Sequence, residues 1–255
     1  MDTILSLMSL DALFAALAVA LVAGVVKGLV GFGMPMILVS GLGNFLAPEL
    51  ALAGLIVPTL VTNGMQALRQ GPAQAAKSMQ KFRVFLGAGL ITLLISAQFV
   101  RVLPTDIMLL IIGVLVAGFA IMQLVGLRFH LQKPSKRLEF GIGGFAGLIG
   151  GVSGVWGPPT VAYLTALNTE KTEQMRVQGV IYGLGAVALA VAHIGSGVLN
   201  GDTVVFSVML VPSAILGMWV GGTVQDRIDQ TAFRKATLIV LALAAANLIR
   251  KALLT

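Results

Sequence analysis

The 255 residues are 57% apolar and only 11% charged, against roughly 25% charged in an ordinary soluble domain, which places the chain among membrane proteins and excludes a soluble enzyme. Cysteine is absent, ruling out disulfides, cysteine-ligated zinc, iron–sulfur clusters and a thiol nucleophile. A net charge of +7 would suggest nucleic acid in a soluble protein, but here the basic residues sit in short loops beside apolar spans, where they set topology.

Met1-Asp2-Thr3-Ile4 puts no basic residue ahead of the first apolar run, so that run is expected to stay in the protein rather than be cleaved as a signal peptide. Apolar segments follow at about 10 to 46, 49 to 68, 82 to 100, 106 to 127, 138 to 167, 176 to 198, 203 to 224 and 234 to 254. A crossing needs about 20 apolar residues, and no polar block of soluble-domain size separates these runs. The pattern predicts an all-α fold, a polytopic transmembrane helical bundle forming one membrane domain over 1–255.

The first and fifth segments are interrupted, by Gly28-Leu29-Val30-Gly31-Phe32-Gly33-Met34-Pro35 and by Gly150-Gly151-Val152-Ser153-Gly154-Val155-Trp156-Gly157-Pro158-Pro159. Proline lacks an amide donor and glycine weakens helices, so both runs should break. At an offset of 123 residues Ala23, Gly24, Gly28, Gly31 and Pro35 fall on Ala146, Gly147, Gly151, Gly154 and Pro158. Each copy opens a block of four apolar segments, which predicts a duplication, with repeat one at about 1–128 and repeat two at about 138–255.

Of the sixteen lysines and arginines outside the spans, thirteen fall on one side if the fifth segment enters and leaves by the same face. Its thirty residues are too many for one crossing and too few for two, but suit two half-helices. If the first segment folds alike, each half has three full crossings and the halves are inverted repeats. Paired broken helices then form a site near the membrane midplane.

A helix broken within a membrane leaves backbone groups that protein, water or ligand must satisfy. Helix N-termini facing such a break favour anions, and the second half-helices should begin near Met34-Pro35 and Gly157-Pro158. The candidate binding groups are the backbone around Gly31, Phe32 and Gly33 and around Ser153, Gly154 and Trp156. Lys27, a charge inside an apolar span, either offsets an anion or snorkels to an interface. Asn63 and Gln66, three apart, share a helix face, as do Gln178 and Tyr182, four apart; such groups serve either a ligand or interhelical hydrogen bonds. Arg176 belongs to the site or to the rim. No metal cluster, cofactor fingerprint or paired catalytic carboxylate is evident. The glycine runs follow no strand and lead to no ribose-binding acid, so neither a cofactor nor catalysis is expected.

A chain of this length, with four-span halves each opening on a Gly-x-x-x-Gly-x-x-Gly motif leading to a proline, Gly24 to Pro35 and Gly147 to Pro158, resembles the TauE/SafE family of sulfite and organosulfonate transporters. The resemblance spans essentially the whole chain. Met34-Pro35-Met36 replaces the family's glycine cluster, and Trp156 stands where the first copy has Gly33. The resemblance implies a multi-pass protein of the bacterial inner membrane moving sulfite, sulfoacetate or another sulfonate. The partners implied are that anion and the bilayer, with a coupling proton or ion among the candidates and the oligomeric state open. The leading expectation is a secondary transporter working by alternating access. The alternatives are a carrier or channel for another small anion such as a carboxylate, and a non-transport membrane factor.

Overall fold

The computed structural model describes residues 8–97, 105–126, 131, 135–153, 156–195 and 197–254. Among them there are helices and turns but no strand. The helices are α1 (Leu10–Val30), α2 (Met34–Leu42), α3 (Pro48–Leu68), α4 (Pro72–Lys81), α5 (Arg83–Ala97), α6 (Thr105–Leu124), α7 (Lys136–Ser153), α8 (Gly157–Ala166), α9 (Lys171–Gly195), α10 (Gly201–Arg227) and α11 (Gln230–Leu254). Within the described residues α1, α3, α9, α10 and α11 are each long and apolar enough to cross a membrane, and α4 with α5, bent by 77° at their junction, can make a sixth span.

Both expected breaks occur where glycine and proline place them: α2 starts at Met34 and α8 at Gly157, each with proline in its first turn. The region between Arg69 and Arg83, expected to be a loop, instead contains α4, whose Ala75 and Ser78 are buried while Lys77 and Lys81 face outward.

The chain folds as two compact units. The first comprises residues 1–72 and 178–228, the second 73–177 and 229–255. In the first, α1 and α10 touch backbone to backbone through glycine: a Cβ on Gly24 or Gly28 would strike Ala214 or Met218, and one on Gly217 or Gly221 would strike Leu21 or Val25. Small residues permit such approach where helices associate without a hydrophobic driving force. The α2 segment folds back along α1, bringing Gly41 against Val19. Leu13, Ala16 and Ala20 then share a core with Leu38, Leu42, Leu55, Phe206 and Leu210. Pro58 interrupts α3, and the Ser207 hydroxyl of α10 mends the ladder there. It donates to Ala53 O (2.7 Å) and accepts from Val57 N (3.1 Å).

In the second unit, α7 lies along α5 in the same manner, Gly143 against Phe85 and Gly147 against Gly89. Thr92 completes the seam by donating to Gly144 O at 2.8 Å. Glu139, on α7, is buried and accepts the Phe85 amide at 3.2 Å, placing negative charge at the N-terminus of α5 where the helix dipole favours it. The Tyr163 ring of α8 stacks on Phe85 with centroids 5.9 Å apart. Ion pairing of Lys81 with Glu173 (2.6 Å) and donation from Arg176 Nε to Ser78 Oγ (2.7 Å) tie α4 to the first turns of α9.

Candidate functional site

The candidate site centres on the first break. Gly31 ends α1 in the left-handed region (φ 86°), its amide donating to Lys27 O at 2.7 Å, and Gly33 (φ 92°) stands before α2. Two left-handed residues within three positions reverse the chain, and glycine adopts that conformation without steric cost. Phe32, between them, is buried. The break exposes two opposite helix ends: the carbonyls that finish α1 and the first amides of α2, which have no acceptor within their own helix.

Neighbouring side chains satisfy the carbonyl end. Gln66 Nε2 of α3 donates to Gly31 O at 3.1 Å. The Gln178 amide of α9, with its nitrogen turned to the break, donates to Gly31 O (3.2 Å) and Val30 O (3.1 Å). Lys27, in the last turn of α1, places its ammonium on Asn63 Oδ1 of α3. The other face of the Asn63 amide donates to Tyr182 O at 3.1 Å, so Tyr182 enters through its backbone. All of Lys27, Asn63, Gln66 and Gln178 are at most 2% exposed.

Lys27 therefore turns inward rather than snorkelling. Arg69 pairs with Asp226 and Lys81 with Glu173, whereas Lys27 has the neutral Asn63 amide as its partner. A buried cation held by a neutral amide at a helix break can attract a small anion. The amide end of α2 is backed by Thr62, whose hydroxyl lies 3.3 Å from Met34 Sδ and donates to Pro58 O at 2.6 Å.

Gly31, Phe32, Gly33, Lys27, Asn63, Gln66, Gln178 and Tyr182 all lie in the first unit, whereas Trp156 and Arg176 lie in the second. Trp156 precedes α8, is buried against Gly150, and accepts the Thr160 hydroxyl at 2.9 Å. Arg176 is directed to Ser78. Ser153 ends α7, but its side chain, like all of Gly154, lies outside the described residues. Nor is the first break halfway along its neighbours: Asn63 and Gln66 occupy the last two turns of α3, about 5–9 Å along the axis from Arg69. Arg69 pairs with Asp226 (2.6 Å) and donates to Gln225 (3.3 Å), both at the end of α10.

Two polar residues went unnoticed in the sequence. Ser207 shows no pattern of its own; Pro58 was the available signal, since a proline within a span leaves carbonyls to be satisfied. Glu139 sits among basic residues at the edge of an apolar run and reads as a loop charge.

The model of the sulfite exporter TauE/SafE family matches residues 16–248. The chain belongs to that family. That family is one of transporters, so the protein is a multi-pass membrane transporter whose partners are a small-molecule substrate and the lipid bilayer. No similar curated protein and no similar solved structure was found. In this TauE/SafE member the match runs through both broken segments and all the helices that carry Lys27, Asn63, Gln66 and Gln178.

Proposed function

We propose that the protein is a secondary transporter of a small sulfur-containing anion, sulfite or an organosulfonate, which it carries across the bacterial inner membrane by alternating access. The observation that carries this is the buried Lys27 ammonium, in the last turn of α1 and held by Asn63, at the break that separates α1 from α2. Gln66 and Gln178 hold the carbonyl end of α1, which keeps its partial negative charge from opposing an anion. The family match supports sulfur chemistry, and the electrostatics support an anion independently.

Inverted repeats belong to the same proposal. At the 123-residue offset Gly24 falls on Gly147, and each is where its unit's broken segment presses on a helix from the other half of the chain, α10 for Gly24 and α5 for Gly147. Exchange of helices between halves is a natural outcome when a duplicated unit associates with its own copy.

The test is thermal stabilisation of the purified protein by sulfite, sulfate, thiosulfate, sulfoacetate, taurine and simple carboxylates, since a ligand that prefers the folded state raises its stability. A sulfur oxyanion should shift the melt selectively, and Lys27→Ala should remove the shift while still melting cooperatively. Selective stabilisation by carboxylates would move the substrate class; stabilisation by a cation or neutral solute alone would overturn the anion reading.

A further inference from the structure

We infer that Lys27 carries a proton with each anion, so that transport is electroneutral co-movement of one proton and one monoanion; this rests on the anion reading above.

The inference comes from what surrounds the ammonium. Lys27 is 1% exposed, and its acceptor is the Asn63 carbonyl oxygen. The amides at the break are all directed: the Asn63 nitrogen is turned away to Tyr182 O, and the Gln66 and Gln178 nitrogens face Gly31 and Val30. Tyr182 of α9 is itself buried and adds a phenol, neutral at physiological pH, to the titratable groups on the packed helices. Titratable or charged groups on the packed elements are distant or engaged. On α1 Asp11 lies sixteen residues away, near the opposite helix end, and α2 has none. On α3 Glu49 lies in the first turn, while Arg69 is bound to Asp226 of α10. Asp202 opens α10 and Arg227 closes it. On α9, His193 stands in the last turn, and of the first turns Glu173 pairs with Lys81 and Arg176 donates to Ser78, with Lys171 at the start.

A buried ammonium among neutral groups is strongly disfavoured unless an anion accompanies it, and the usual relief is loss of the proton. The carbonyl end of α1 offers only a partial charge, part of which already accepts from the two glutamines. Lysine is suited to such an exchange because its amine gives up a proton when buried, whereas arginine does not. Asn63 Oδ1 can accept an N–H from either the ammonium or the neutral amine, so deprotonation leaves no orphaned acceptor. In the cycle, the amine lone pair takes a proton from water on the loading side as the monoanion binds. On the other side the anion leaves, and the ammonium returns its proton to water. No net charge crosses.

The experiment uses full-length protein in sealed proteoliposomes holding an internal pH dye, with voltage clamped by potassium and valinomycin. The substrate is a radiolabelled strong-acid sulfonate such as sulfoacetate methyl ester or isethionate, which cannot itself carry a proton. Uptake should acidify the lumen by one proton per anion, rise at least fivefold under an inward proton gradient, and not respond to voltage. Lys27→Arg, whose charge is fixed, should lower net uptake at least tenfold, and any residual flux should carry no protons and follow voltage. Wild-type uptake without proton movement, or driven by voltage, overturns this inference and leaves the anion reading standing. Saturable uptake of cations or neutral solutes, with none of any anion, overturns both. The wild-type stoichiometry decides even if the arginine variant fails to fold.

Discussion

Replacing glycine by alanine should have opposite effects at Gly221 and Gly64. A Cβ on Gly221 would lie 2.8 Å from Leu29 N and nearer still to Val25 O, where ordinary contact begins at 3.4 Å. Both neighbours are backbone atoms in a helix, so neither can rotate aside. Helices α1 and α10 would have to separate by about 1 Å along a seam that also contains Gly24, Gly28 and Gly217. Overpacking of this kind costs about 1–3 kcal/mol, offset in part by the helix preference of alanine, about 1 kcal/mol. At Gly64, within α3, a Cβ would meet nothing within 4 Å, so only the gain of up to about 1 kcal/mol remains. A kilocalorie moves the melting temperature of a chain this size by about 2–4 °C. The melt of Gly221→Ala should therefore fall by a few degrees and that of Gly64→Ala rise by one to four, read by tryptophan emission in detergent. Equal shifts of the same sign would show that the α1–α10 seam is not a close backbone contact. Because α1 carries Lys27, loosening the seam should also weaken the ligand-induced shift, whereas Gly64→Ala should leave it intact.

Ser207→Ala removes the hydroxyl that serves Ala53 O and Val57 N beside Pro58. Within a membrane no water replaces it, so a loss of about 1–3 kcal/mol is expected. Thr223→Ala, whose hydroxyl is exposed and bonds only to Val220 O, should be close to neutral in the same melt. Glu170 precedes α9 and accepts the amides of Thr172 (3.1 Å) and Glu173 (3.3 Å). Partial burial pushes its carboxyl up, but hydrogen bonds from Thr172 and Glu173 and the charge of Lys171 outweigh this and hold it below the usual carboxylate value. A depressed folded-state value means that its contribution is complete above the unfolded carboxylate range and is lost as pH falls through the folded value. The stability gap between wild type and Glu170→Gln should be present at neutral pH and close on acidification; a gap independent of pH would remove Glu170 as a charged cap.

The membrane class, the places where the first and fifth segments break and the helical content were legible in the sequence. They depend on local chemistry: too few charges to solvate a surface, and glycine and proline where no helix can continue. Lys27 was legible as well, because charge within an apolar run is conspicuous whatever surrounds it. Helix α4 was not, since its two lysines and three polar residues give it the composition of a loop, and only burial of Ala75 and Ser78 reveals its inner face.

Tertiary structure decided the roles. The spacing of Asn63 with Gln66 and of Gln178 with Tyr182 put each pair on one face, but not which atoms would be used. In the fold Gln66 and Gln178 cap the carbonyl end of α1, Asn63 receives Lys27, and Tyr182 contributes its backbone. Arg176 read from the sequence as belonging to the site or to the rim, and in the fold its Nε donates to Ser78. Local sequence sets which backbone groups are left open at a break. Which side chains close them depends on helices far apart in the chain, α1 with α3, α9 and α10, and no pattern within a single segment records that pairing.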